Sequence, residues 1–373
     1  GFATQLPRAT QFDKAQRIPS RLEDAPRPGR LTRVWILYRQ VKGYGLRPRK
    51  ANPAMTVALS IKVYDGLVLA SDSAATMMAP VGPGGDHAVV NVYNNANKVF
   101  NLHRGLAIGG MVWGAGSIGR ASIATLAKDL RRRFEGRDAS HKSWEIRAGR
   151  FKMKEVAERL RHFLFEEHYK AQYRKAKTPS KKPSLGFMVA GYSPRSSFAE
   201  EWLIEIDKGQ CPAPVMVRPI DECGWVAYGS PEPIRRLLLG YSPSLRDVLK
   251  DRLGVPDGQL PMAMKVIRAE LESPVVLPPM PIQDVIDLAV FLVRLSSMYY
   301  RFCMGARIVG GPTEIAAVTK HEGFKWVKRK YYYSRDLNPL RKEYADEDDP
   351  RQRQARKVGK RTTGRVRAQS RKP

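Results

Sequence analysis

Residues 55–76 read MTVALSIKVYDGLVLASDSAAT, and the rest of the chain is read outward from them. Residues 56–61 are an apolar, β-branched run, Asp65-Gly66 is a two-residue turn signal, and 67–70 are a second apolar run. Together they predict a β-hairpin that opens the globular part of the protein. A Gly- and Pro-rich loop follows around Pro80, Gly82, Pro83, Gly84 and Gly85, and then two short strands, 98–102 and 105–112, flank His103-Arg104. Over 114–134 the period changes: Ile118, Ala121, Ile123, Leu126 and Leu130 recur at helical spacing, and Lys and Arg collect at the end where a helix dipole favours them. A second helix is expected over 151–175. Strands are expected at 185–190, 201–206, near 215 and at 225–228, then helices at 233–239, 245–253 and 282–302. A last hairpin, 314–319 with 324–327, turns at His321-Glu322-Gly323. Strands, two helices, strands, helices, strands is the order of an α+β protein with helices on the faces of antiparallel sheets.

Composition bounds the rest. A chain of 373 residues with 43% apolar side chains can bury a large core, which excludes wholesale disorder. The net charge of +29 points first to an anionic partner, but its distribution qualifies that reading. Residues 1–54 hold 12 basic and 3 acidic side chains, 320–373 hold 18 and 7, and 55–319 hold 35 and 26. Residues 1–54 have no sustained periodicity and read as a disordered basic extension, a pro-segment or translated upstream sequence. The tail 331–373 is basic and expected to be disordered, with ten Lys or Arg and no acid in 351–373. The domain itself is expected over 55–330. Cys211, Cys223 and Cys303 form no C-x-x-C pair, which argues against a disulfide framework or structural zinc and fits a reducing, cytoplasmic setting. His162 and His168 stand six apart, not at metal-ligand spacing on one helix face. No apolar run approaches the roughly 20 residues that span a bilayer, and the first residues lack the apolar region of a signal peptide.

The spacing that carries chemistry is Thr56, Asp72 sixteen residues later, then Lys98 and Gly109-Gly110. The chain opens on Gly1, and Met55 directly precedes Thr56. If Met55 is the true start, removal of the initiator exposes Thr56 with a hydroxyl and a free α-amine on one residue. An α-amine with a pKa near ~7.7–8.0 can take the hydroxyl proton directly or through a water. Lys98 would lower that amine's pKa and steady the alkoxide, while Asp72 would hold Lys98 charged and oriented. The Gly110 N–H would serve as an oxyanion donor. The plain alternatives are a strand threonine, a turn-capping Asp72, a solvated Lys98, and a Gly109-Gly110 pair that only permits close packing.

With these residues in order, the sequence resembles the proteasome β-subunit group of N-terminal nucleophile (Ntn) hydrolases, including the bacterial proteasome-type members. The likeness rests on TVALSIKVYDGLVLASDSAATM, on NKVF and on GLAIGGMVWGAGSIGRASIATLAKDL, and continues more weakly through LGFMVAGY, EEWLIEID, AYGSPEPI and IVGGPTEIAAVT to about residue 327. It implies a four-layer αββα sandwich of two antiparallel sheets and a threonine-type peptidase or amidohydrolase needing no metal or organic cofactor. Thr56 matches the family's nucleophile, Asp72 and Lys98 its charged pair, Gly110 its oxyanion glycine, and Ser230 its serine near the nucleophile's amine; Ser230 in Gly-Ser-Pro also reads as a turn leading into a helix. Self-assembly into a ring or helical array around a peptide or protein substrate is implied, with Trp113 in the core or a contact surface and an ATP-dependent unfoldase left open. The sequence departs from the pattern in a longer 72–98 loop, in Ala74 where an arginine is common, and in Ala306 and Val309 where the family carries an Asp and a Ser. Those departures support an alternative: a catalytically silent assembly protein whose basic tails bind an anionic partner. Nucleic acid is expected to bind only through those tails, although Tyr331, Tyr332 and Tyr333 beside Lys328 to Lys330 could stack on bases. Gly310-Gly311-Pro312 is expected to be a turn rather than part of a site.

Overall fold

A computed structural model describes residues 56–80, 87–176, 182–304 and 306–330. All of them lie in the part of the chain that follows Asn52. The expected extension 1–54, Met55 and the tail 331–373 with Tyr331, Tyr332 and Tyr333 lie outside the described residues.

The opening hairpin forms as expected, β1 (Val57–Val63) with β2 (Gly66–Ser71), registered from Ala58 opposite Ser71 to Val63 opposite Gly66. Every residue of both strands is buried, because each face of the sheet is covered. β3 (Ala75–Pro80) and β4 (His87–Tyr93) pair as a separate ribbon whose tip, 81–86, lies outside the described residues. β5 (Val99–His103) and β6 (Ile108–Gly114) form the next hairpin. The small ribbon β7 (Ser117–Ile118) and β8 (Ala121–Ser122) then occupies ground where helical spacing had already begun. Helix α1 (Ile123–Phe134) starts later than expected because Ser122 caps it, accepting the Thr125 N–H, and Arg131, Arg132 and Arg133 sit in its last turn. α2 (Met153–Arg161) runs on through a π-helical stretch, His162–Tyr169, to a final α-turn, Lys170–Tyr173.

The remaining elements are β9 (Leu185–Gly191), β10 (Glu200–Ile206), β11 (Val215–Met216), β12 (Gly224–Gly229), α3 (Glu232–Leu239), α4 (Leu245–Asp251), α5 (Leu260–Leu271), α6 (Ile282–Phe302), β13 (Glu314–Thr319) and β14 (Gly323–Lys328). One five-stranded sheet has the order β12-β1-β2-β13-β14 and the other β11-β10-β9-β6-β5, and every pairing in both is antiparallel.

Three apolar cores show how the layers stack. Val57, Leu59, Ile61 and Val63 turn their side chains toward Ile234 and Leu238 of α3 and Val285, Ala289 and Leu292 of α6. Ala58, Leu67 and Leu69 face Val99, Met111, Trp113 and Met188 of the other sheet. Leu102, Ile108, Val112, Phe187 and Val189 turn outward onto Leu126, Leu130 and Phe134 of α1 and Val156 and Leu160 of α2. The period-2 alternation of each strand thus divides its residues between two cores, and helices cover the outer face of each antiparallel sheet. Trp113 belongs to the inter-sheet core, stacked on Tyr228 with ring centroids 4.2 Å apart.

Candidate functional site

The site forms where β1 begins. Thr56 is only 4% exposed, and its carbonyl accepts the Ser230 N–H at 2.6 Å as β12 leaves the sheet. Gly229 makes that approach possible: its φ is +82°, and a Cβ there would lie 2.0 Å from the Thr56 carbonyl oxygen. The structure therefore brings Ser230 to Thr56, and the Tyr300 hydroxyl of α6 reaches the Ser230 carbonyl at 3.4 Å.

Asp72, immediately after β2, is 1% exposed and accepts four hydrogen bonds. Its Oδ1 takes the Val57 N–H at 3.0 Å and the Lys98 ammonium at 2.8 Å; its Oδ2 takes the Ala74 and Gly310 N–H groups, each at 3.0 Å. One oxygen is thus shared by the peptide that follows Thr56 and by the lysine, which sets the ammonium within two hydrogen-bond lengths of the Val57 nitrogen. Thr56, Asp72, Lys98 and Ser230, separated by up to 174 positions in the chain, are gathered by β1, β2, β5 and β12. Lys98 is buried as well, its side chain 6% exposed. Burial pulls its pKa below the ordinary lysine value, against the opposing pull of the Asp72 and Glu314 carboxylates.

Gly110 does not turn its N–H toward this cluster. It lies mid-strand in β6, registered with Phe100 on one side and Val189 on the other. The β6 residue opposite Lys98 is Val112, whose N–H reaches the Lys98 carbonyl at 2.9 Å; two residues along, the Gly110 N–H points the same way, into the ladder toward β5. A Cβ on Gly110 would meet the Phe187 ring at 2.6 Å and Leu102 at 3.1 Å, on the helix-covered side of the sheet. Its glycine is required by packing.

Several members of the site carry no sequence signal as read above. The Gly310-Gly311-Pro312 segment, expected to be a turn and not part of a site, belongs to it, through the Gly310 N–H on Asp72, the Gly310 carbonyl that accepts from the Ser73 N–H at 2.9 Å, and the Pro312 carbonyl that accepts from the Ser73 hydroxyl. Val309 is fully buried among the residues beneath α6, and Ala306 is exposed. Beneath Lys98 sits a second charged pair, Glu314 and Lys330, with 3.5 Å between Lys330 Nζ and Glu314 Oε1. Farther along β1 the inter-sheet layer holds Ser60, which donates to Glu201 at 2.6 Å, and Arg218, which does the same to the other oxygen of that carboxylate.

Two surface cavities lie apart from Thr56. One of about 390 Å³ is lined by His103, Arg104, Glu135, Arg137 and Arg147, and one of about 540 Å³ by Tyr169, Lys170, Tyr173 and Lys182. Cys211, Cys223 and Cys303 are all free thiols. His162 lies beside Glu167 at 3.9 Å, and His168 packs on the Phe163 ring. Among the described residues no helix is long and apolar enough to cross a membrane. No protein-family model matches the chain, and no curated protein matches it either.

Proposed function

We propose that this chain is a threonine-type hydrolase of the Ntn kind, a proteasome-like, self-assembling peptidase that cleaves amide bonds with Thr56 once the residues before it have been removed. The observation that carries the reading is the shared oxygen of Asp72, which holds the amide next to Thr56 and the buried Lys98 ammonium together. The antiparallel sheets with helices on both outer faces agree with the αββα sandwich that the resemblance implies.

In the proposed reaction the Thr56 hydroxyl oxygen attacks a peptide carbonyl carbon while its proton passes to the Thr56 α-amine. The Lys98 charge keeps that amine from being fully protonated at neutral pH and favours the developing alkoxide. The tetrahedral intermediate collapses as the C–N bond breaks and the α-ammonium returns its proton to the leaving amine. A Thr56 ester remains, and water hydrolyses it by the same proton route. Asp72 keeps Lys98 ionised and aimed, and Ser230 fixes the Thr56 carbonyl. Substrates would be peptides or unfolded protein segments, in a reducing compartment such as the cytoplasm.

The alternative, a catalytically silent scaffold of the same fold whose basic tails bind an anionic partner, is favoured by the place of Gly110, whose N–H is turned into the ladder and gives the site no oxyanion donor from that residue. Labelling with a β-lactone electrophile separates the two readings. The hydrolase predicts a covalent adduct in the wild type that Thr56→Ala abolishes; a wild type that stays unlabelled supports the scaffold.

A further inference from the structure

Two buried carboxylates lie within reach of Lys98, and only one takes its ammonium. Asp72 accepts it at 2.8 Å. Glu314, the first residue of β13 and 1% exposed, instead accepts two backbone N–H groups on Oε2, Lys98 at 2.8 Å and Val99 at 3.3 Å. Its other oxygen faces Lys330 Nζ at 3.5 Å. That ammonium is 7% exposed along its side chain, donates to the Ser73 hydroxyl at 2.8 Å, and reaches the Ala96 carbonyl. Ser73 follows Asp72, and Ala96 lies two residues before Lys98. The segment that carries Lys98 is therefore gripped at Ala96 by Lys330 and at Lys98 and Val99 by Glu314, while the loop that carries Asp72 is tied to the same lysine.

We propose that Glu314 and Lys330 are positioning residues for the Thr56 site: Lys330 neutralises Glu314, so that the Lys98 ammonium is left to Asp72, and the pair fixes the backbone from which Lys98 projects. This rests on the hydrolase reading and adds to it a pair of residues outside the nucleophile's own contacts. The charges that face Lys98 are Asp72 from the end of β2, Glu314 from β13 and Lys330 from the end of β14, two negative and two positive in all when Lys98 is counted. Burial holds both lysines below the ordinary lysine pKa, so each depends on its carboxylate to stay charged. Without Lys330, Glu314 is left in the same enclosed space with Lys98 as the remaining cation. Lys98 should then titrate at higher pH and be drawn away from Asp72.

The test compares the whole chain as wild type, Lys330→Met, Lys330→Arg and the double variant Lys330→Met/Glu314→Gln. Two readouts are taken: titration of Lys98 by NMR of protein carrying ¹³C at the lysine ε-carbons, assigned with Lys98→Arg, and the pH dependence of β-lactone labelling. In Lys330→Met the Lys98 titration should move up by about one pH unit, the scale of a neighbouring opposite charge, and the labelling profile should move with it. Lys330→Arg and the charge-balanced double variant should bring both back toward the wild type. An unmoved Lys98 titration in folded Lys330→Met overturns the proposal. If that variant does not fold, a double variant that folds with a wild-type Lys98 titration supports it, and one whose titration is displaced overturns it. A wild type that is never labelled removes the hydrolase reading, while the NMR titration still decides whether Glu314 and Lys330 set the ionisation of Lys98.

Discussion

Replacing Asp72 with Asn tests the hinge of the site. The carboxylate accepts from Val57 and Lys98 on one oxygen and from Ala74 and Gly310 on the other. An amide keeps one acceptor oxygen and presents an NH₂ on the other side. If the NH₂ faces Ala74 and Gly310, two buried N–H groups lose their acceptor, each costing about 1–3 kcal/mol. If it faces Lys98, the Val57 N–H loses its acceptor instead; in both orientations the neutral amide leaves the buried Lys98 ammonium without its counter-charge, and breaking such a pair costs about 3–5 kcal/mol. Either orientation predicts a loss of about 3–5 kcal/mol at pH 7, read by urea denaturation followed through tryptophan fluorescence. The pH dependence has a definite sign. Without Asp72 the buried Lys98 has a still lower folded pKa, so between that value and the wild-type folded pKa the variant's unfolded chain binds more protons than its native state. The variant therefore gains stability as pH rises through that window, and the gap to the wild type narrows. A loss below about 1 kcal/mol at pH 7, or a gap that widens with pH, would refute the reasoning about Asp72.

Other substitutions probe its surroundings. Gly229→Ala forces a side chain into a left-handed backbone against the Thr56 carbonyl and should lower stability by at least about 1–3 kcal/mol; an unchanged denaturation midpoint would show that β12 does not need its glycine there. Gly110→Ala should cost about 1–3 kcal/mol by overpacking Phe187 and Leu102, and a neutral effect would contradict the packing role given to that residue. His103 accepts the Gly105 N–H on Nδ1 at 3.1 Å, and burial lowers its pKa below the ordinary histidine value. The unfolded chain then binds the extra proton first, so stability present above pH ~6.5 is lost as pH falls toward the folded pKa. Measured against His103→Asn, the wild type should lose relative stability between pH 7 and pH 5, and a difference that stays constant would remove the neutral imidazole from the picture.

How legible these features were depends on what carries them. The opening hairpin could be read because Val57, Leu59 and Ile61 alternate with Ala58 and Ser60 up to a turn before Gly66, so pattern and turn chemistry agree. The 21-residue helix α6 was found at both ends because a broad apolar stripe, Val285, Ala289, Leu292 and Val293, repeats along it. The later start of α1 was hidden because Ile118 and Ala121 fall on helical spacing while belonging to the β7–β8 ribbon. Helix α5 was missed because Leu260 is its only buried residue, so no core-facing period marks it. The ribbon of β3 and β4 was obscured by the Gly and Pro between its strands.

At the site, Asp72 and Lys98 could be paired from their order, since charged side chains next to apolar strands stand out. The Gly310 N–H could not, because a backbone donor leaves no mark in the sequence. Glu314 lies 216 positions from Lys98 and Lys330 lies 257 from Ser73, and only the meeting of β13 and β14 with β2 and β5 brings them together. Gly110 misled for a physical reason: a glycine in a strand serves close packing as readily as anion binding, and here Phe187 and Leu102 take the space.

The most direct test of a nucleophilic Thr56 is mass spectrometry of the expressed protein before and after treatment with a β-lactone, with peptide mapping of the adduct. The hydrolase reading predicts a mature chain whose first residue is Thr56 and a single adduct on that residue, absent from Thr56→Ala. A chain that retains the residues before Thr56 and takes up no adduct would contradict it.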